Sequence, residues 1–188
     1  VGAPSHLIVE KIGRINGEYA TVHNSPLHFI HGTVEFAELC ALYALADVAL
    51  VTPLIDGMNL IAKEYIACQR DDIGGAGAAG VVNRQGPGVL VLSEFAGAAQ
   101  ELFNAITVNP YDAPLMADAI SQALAMPADE RRRRMQPMRE RVFTYDAAAW
   151  AKDFLTDLAR RPLPLPFPTN GLEDSRKRLA HALAAGRK

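Results

Sequence analysis

Val48-Ala49-Leu50-Val51 is an apolar run that does not alternate, introduced by Asp47 and closed by Thr52-Pro53 and then Asp56-Gly57. A strand with one face in water alternates apolar and polar residues. A short continuous run between turn residues reads instead as a strand buried on both faces, the pattern of parallel sheets. Parallel neighbours can be reached only through a crossover, usually a helix. The flanks supply helices. Residues 35–46 place Phe36, Leu39, Cys40, Tyr43 and Leu45 at helical spacing, and a second helix is expected over 58–69.

The same alternation continues along the chain. Val89 to Leu92 reads as another buried strand, 96–103 as a short helix, 106–108 as a strand and 114–126 as a helix. Strands alternating with helices at this spacing build βαβ units, so the expected fold class is α/β, a Rossmann-like parallel sheet with helices on both faces. Upstream, 7–19 fits a helix that Gly13 and Gly17 weaken by about 1 kcal/mol each relative to Ala, and 27–30 reads as a strand. Residues 70–88 are too rich in Gly for regular structure and are expected to be a flexible surface loop. Polar helices are expected over 129–143 and 146–158. The four prolines in 161–168 read as an extended strap, followed by an amphipathic helix or tail over 171–188. One domain over 1–160 and an appendage over 161–188 is the expected organisation.

Composition narrows the function classes. The chain has 188 residues, 49% hydrophobic and 21% charged, with a formal net charge of −2 at pH 7. That is an ordinary globular composition, and it disfavours nucleic acid as a partner held by bulk charge. Cys40 and Cys68 lack CxxC spacing and sit in apolar stretches, so two small buried hydrophobes in a reducing cytoplasm are expected, with no zinc site. No apolar run reaches the ~20 residues of a membrane helix, and Val1-Gly2-Ala3-Pro4-Ser5 lacks the basic and apolar segments of a signal peptide.

Chemistry is written where the first buried strand ends. A strand, a tight turn at Asp56-Gly57 and a helix start near Asn59, Leu60 and Ile61 place free backbone N–H donors at the positive end of a helix dipole. Ligands of open parallel sheets gather at strand carboxyl ends, and a diphosphate is the natural ligand for such donors. Asp56 and Glu64 are acceptor-only carboxylates, each able to take two hydrogens from a sugar diol, so together they outline a nucleotide-sugar cradle. A plainer reading stands beside it: Asp56 caps the turn and Glu64 is a solvated helix residue.

The segment VTPLIDGMNLIAKEY over residues 51–65 resembles, nearly residue for residue, the donor-site signature of the trehalose-6-phosphate synthase family, retaining glycosyltransferases of the GT-B architecture. Three further stretches agree in order: Gly13-Arg14-Ile15-Asn16-Gly17, Ser93-Glu94-Phe95-Ala96-Gly97-Ala98-Ala99 and Val108-Asn109-Pro110-Tyr111-Asp112. The resemblance covers roughly residues 1–158. It implies that Asp56, the catalytic candidate, holds hydroxyls of the transferred glucose. The backbone of Gly57, Met58, Asn59 and Leu60 would hold glucose and diphosphate, and Glu64 the ribose. Ile61, Ala62 and Lys63 complete the donor stretch, and Val34 falls where the main chain meets the nucleobase. The family's usual Arg before Asp-Gly-Met is Ile55 here. The implied substrates are UDP-glucose or ADP-glucose and glucose 6-phosphate, with no metal and no other cofactor; homo-oligomeric assembly is left open.

Several family features are not found. An Arg and a Lys that neutralise the diphosphate, and most of the acceptor pocket, precede the matched region. Val1 to Ser5 is similar to a strand ending Ala-Pro-Ser-Arg, yet His6 follows Ser5. The expectation is therefore the donor half of a longer enzyme, with segments joined after Ser5. The alternatives are a sister enzyme with another acceptor, such as a glucosylglycerol-phosphate synthase, and a non-catalytic nucleotide-sugar-binding domain. A dinucleotide oxidoreductase is weaker, because no GxGxxG follows an expected strand. Elsewhere plain readings win: Arg131 to Arg134 as a solvated helix face among acids, His28 and His31 as packing or rim residues, and Trp150 with Phe154 as helix packing.

Overall fold

The computed structural model describes residues 6–70, 72–73 and 84–159. The chain divides after Arg141 into two compact units. In the first, α1 (His6–Tyr19) and α2 (Phe36–Leu45) precede β1 (Val48–Val51) and α3 (Leu60–Cys68). A two-residue pair follows, β2 (Asp72–Ile73) and β3 (Arg84–Gln85), then β4 (Val89–Ser93), a 3-10 turn (Gly97–Gln100) and β5 (Ile106–Val108). Helices α4 (Ala113–Ala125) and α5 (Ala128–Thr144), within whose last turn the division falls, come next, and α6 (Ala147–Ala159) belongs to the second unit.

The central sheet is parallel in the order β1-β4-β5, so the middle strand is the fourth in sequence. Val51 pairs with Leu92 and Ser93 with Val108, which brings the three carboxyl ends to one edge. Every residue of β4 is buried. Its side chains alternate between faces: Val89 and Val91 join Val108, Ala119, Ala123 and Met126 in one core layer under α4. Leu90 and Leu92, also fully buried, point the other way, and α3 packs across β1 and β4 with Ala62, Tyr65 and Ile66 inside. The expected α/β sheet between helical layers is thus observed.

Polar groups at the amino ends of the strands fix α3 in place. Tyr65 Oη donates to the carbonyls of Ala46 (3.2 Å) and Val89 (3.3 Å), and the fully buried Gln69 accepts from Gly88 N (2.7 Å) and donates to the Tyr43 carbonyl. Gly88 is needed there, because an added Cβ would lie 2.0 Å from Tyr65 Oη and 2.5 Å from the Ala46 oxygen. With its last turn anchored at that end of the sheet, α3 presents its first turn at the carboxyl edge.

Four expectations are corrected. Residues 27–30 form no strand, because the Asn16 side-chain amide takes both backbone groups of Leu27, accepting from its N–H and donating to its carbonyl, each at 2.9 Å. β1 is an edge strand among the described residues rather than one buried on both faces, and Leu50 is 47% exposed. The helix expected over 96–103 is a single 3-10 turn. The 70–88 stretch carries the short antiparallel ladder of Asp72 with Gln85 and Ile73 with Arg84, with residues 74–83 outside the described set. The strap and tail over 161–188 also lie outside the described residues.

Of the arginines expected on a solvated helix face, Arg133 is exposed, whereas Arg131, Arg132 and Arg134 are half-buried. Arg132 bonds Asp129 (2.9 Å), and Arg133 and Arg134 bond Glu130 (2.7 and 2.8 Å), while Arg134 also reaches the Asn104 carbonyl. In the second unit Asp146 caps α6 through Ala149 N (2.8 Å), and Trp150 stacks on Phe154 with ring centroids 5.3 Å apart.

Candidate functional site

Between β1 and α3 the chain makes a tight turn whose shape is set by two side chains. Asp56 Oδ1 accepts from Met58 N and Oδ2 from Asn59 Nδ2, both at 3.0 Å. Asn59 sits in the left-handed region at φ 72°, which Asn tolerates better than most residues, and its Oδ1 caps α3 by accepting from Ala62 N at 2.9 Å. The first-turn amides of Leu60 and Ile61 have no intrahelical acceptor by construction. The expected donor array is therefore narrowed to those two, with Ala62 N already taken.

The Met58 amide, followed by the Asn59 side chain, holds the Asp56 carboxyl below the ordinary carboxylate range. Asp56 is partly exposed, and each of its oxygens keeps a further lone pair for a ligand. The turn-capping reading and the sugar-binding reading are compatible at this residue.

A second loop locks the turn. Asp56 N donates to Phe95 O (3.2 Å), Gly97 N to Asp56 O (2.8 Å) and Ala98 N to Met58 O (2.7 Å). A Cβ on Gly97 would stand 2.1 Å from the Gly57 oxygen, so the two backbones touch where only glycine fits. The third loop joins the same edge: Glu94 N donates to Val108 O (3.0 Å), and Phe95 meets Tyr111 edge-on with centroids 6.0 Å apart. All three sequence stretches after Val51, Ser93 and Val108 thus converge at the carboxyl edge of the sheet.

The remaining predicted residues divide. Glu64 is exposed on the α2 side of α3, where Tyr43 Oη donates to its Oε2 at 3.4 Å. Burial first, then the Glu64 charge, pushes the Tyr43 hydroxyl pKa up, so it stays a donor. Lys63 points elsewhere: its Nζ pairs with Glu101 at 3.1 Å, and Glu101 also receives Arg141 at 3.3 Å. Ala62 is buried in the core, Leu60 and Ile61 are exposed, and Val34 is half-buried just before α2. Tyr43, Glu101 and the Phe95–Ala98 loop were not singled out for the site by sequence reasoning. Only the last had a signal, as part of a stretch carrying the family resemblance. Among the described residues, no cluster of three His, Cys, Asp or Glu side chains has the geometry of a metal site.

A family model described as Glycosyltransferase family 20 matches residues 3–160. The trehalose-6-phosphate synthase of Mycobacterium leprae (strain TN) is 47% identical over 155 residues, a match spanning 82% of this chain and 28% of that protein. Among solved structures, the E. coli protein described as trehalose-6-phosphate bound with UDP-2-fluoro glucose superposes with TM-score 0.71 at 39% identity, covering 84% of this chain and 32% of that one. A UDP-forming alpha,alpha-trehalose-phosphate synthase from Burkholderia xenovorans, in complex with glucose-6-phosphate, gives TM-score 0.70 and 42% identity, covering 81% and 30%. The chain spans less than a third of the length of each of these proteins. With the family model matched over most of the chain and the expected sheet, turn and helix start all in place, the chain belongs to glycosyltransferase family 20.

Proposed function

We propose that this chain supplies the donor site of a retaining glucosyltransferase, which passes glucose from UDP-glucose to glucose 6-phosphate and yields α,α-trehalose 6-phosphate. The observation that carries the reading is the Asp56–Asn59 turn, fastened to the loop after β4 at the carboxyl edge of the sheet. Uridine is favoured over adenine because the relatives include enzymes named UDP-forming, one of them solved with glucose-6-phosphate. An enzyme with a different acceptor, such as glycerol 3-phosphate, is separated by product identification.

Each residue has a physical role in this reading. The Leu60 and Ile61 amides and the α3 dipole meet the diphosphate, and they stabilise the charge that grows as the glycosyl bond breaks. Glu64, oriented by Tyr43, accepts from the ribose diol. Asp56 turns its remaining lone pairs to glucose hydroxyls, Gly57 to Asn59 present backbone to the sugar, and Val34 offers main chain to the base. Lys63 acts indirectly, bracing α3 through Glu101. The reading places the protein in the cytoplasm, with no nucleic acid and no membrane as partner; no helix among the described residues is long and apolar enough to cross a membrane.

Titration with UDP tests the assignment. Glu64→Gln keeps the shape and removes the charged acceptor, so affinity for UDP, which retains the ribose, should fall about tenfold, the weight of one charge-assisted hydrogen bond. Unchanged UDP binding with weakened UDP-glucose binding would remove Glu64 from the ribose.

A further inference from the structure

Helices α2 and α3 pack against one another, and Tyr43 of α2 is held between them by several contacts. Its main-chain carbonyl accepts from Nε2 of the fully buried Gln69, whose Oε1 accepts from Gly88 N at 2.7 Å. Its ring meets that of the fully buried Tyr65 edge-on, with centroids 6.4 Å apart and planes at 88°. Tyr65 is itself tied to the sheet through the Ala46 and Val89 carbonyls. The hydroxyl of Tyr43 donates to Glu64 Oε2 at 3.4 Å. A half-buried side chain with a fixed base thus meets an exposed carboxylate on α3. An exposed glutamate without such a partner moves among many rotamers, a freedom that binding must remove. Glu64 lies four residues beyond Leu60, about 6 Å along the helix axis from the first free amide.

We propose that Tyr43 is a positioning residue that sets sugar specificity: by fixing Glu64 it makes the site accept ribonucleoside diphosphates and reject their 2′-deoxy counterparts. The inference rests on the donor-site reading and names the part of the nucleotide that Tyr43 controls. A carboxylate only accepts, and a complete ribose diol brings two hydroxyls to it, whereas 2′-deoxyribose brings one. With Oε2 held by Tyr43, the carboxylate keeps one orientation. An acceptor that has given up water and found no hydroxyl is then left unpaired, which costs more than a contact missing from an open surface. A Glu64 free to swing would turn back to water, and the penalty would vanish along with much of the gain from the diol. Selectivity therefore comes from the acceptor being fixed, as in any site built around a substrate hydroxyl. The Tyr43 ring supplies packing and its hydroxyl supplies orientation, so Tyr43→Phe separates the two.

The test titrates the full chain and its Tyr43→Phe variant with UDP, 2′-deoxy-UDP and inorganic pyrophosphate. The variant keeps the ring beside Tyr65, and its urea midpoint checks the fold. The parent should bind UDP about tenfold more tightly than 2′-deoxy-UDP, the weight of one charge-assisted hydrogen bond. In Tyr43→Phe the ratio should shrink to about threefold or less, through lost UDP affinity. Pyrophosphate, which in this reading meets only the first-turn amides, should bind both chains alike. A ratio that the substitution leaves unchanged overturns the role of Tyr43, and so does an equal loss for all three ligands, the mark of a merely structural side chain. Equal binding of UDP and 2′-deoxy-UDP by the parent overturns the inference and leaves the donor site standing. A parent that binds no UDP overturns the donor-site reading and the inference with it.

Discussion

At Asp56 the carboxylate already accepts from Met58 N and Asn59 Nδ2, so a substitution there acts on the turn as well as on a bound sugar. Its pKa is lowered in the folded chain, chiefly by the Met58 amide. Between the lowered value and the ordinary one of about 4, the unfolded chain binds more protons than the folded chain, so stability rises with pH there. The contribution is complete above that window and is lost as pH falls through the lowered value. Asp56→Asn should accordingly be less stable than the parent at neutral pH, with the gap in urea midpoint closing on acidification below about pH 4. A gap that does not narrow as the pH falls below the ordinary carboxylate value would mean the turn does not depend on the charge. In the proposed reaction the same variant should weaken UDP-glucose binding about tenfold more than UDP binding, because only the former carries the glucose hydroxyls.

Between elements, the contact of the turn with the loop after β4 is made backbone to backbone. Gly97→Ala would press a methyl onto the Gly57 carbonyl, which cannot swing away as a flexible side chain would. The expected cost is about 1–3 kcal/mol by denaturant unfolding, with UDP affinity falling in parallel because the turn that aims α3 is displaced. An unperturbed midpoint would show that the loops separate freely. Local pattern made much of this architecture readable: β1 and β5 appear at their expected bounds and β4 one residue longer, because period and turn residues are properties of neighbouring positions. Partners distant in sequence were not readable. Leu27 to Ile30 has the composition of a strand, but its first backbone partner is the Asn16 side chain. A continuous apolar run also looks alike at the centre and the edge of a sheet, so the exposure of Leu50 was missed. At the site, Asp56 and Asn59 follow from turn chemistry, whereas Tyr43 with Glu64 and Lys63 with Glu101 join positions 21 and 38 residues apart.

For the molecule as a whole, the chain matches under a third of each compared relative, and a two-substrate transfer gains its rate from holding both reactants aligned. The 188-residue chain made alone should bind UDP weakly and give no trehalose 6-phosphate from UDP-glucose and glucose 6-phosphate by mass spectrometry; robust product would place an acceptor pocket within these residues. The outer side of β1 has a further consequence for anyone handling the protein. Among the described residues that strand pairs only with β4, and its Leu50 is half-exposed, so an open row of backbone donors and acceptors lies beside an apolar side chain. A border of this kind is a template for pairing with a second copy, and its four residues are fewer than the roughly six of a fibre-forming segment. Light scattering should therefore rise with protein concentration and fall on dilution. Leu50→Lys, which places a charge on the seam without entering the core, should keep the scattering flat across the same range.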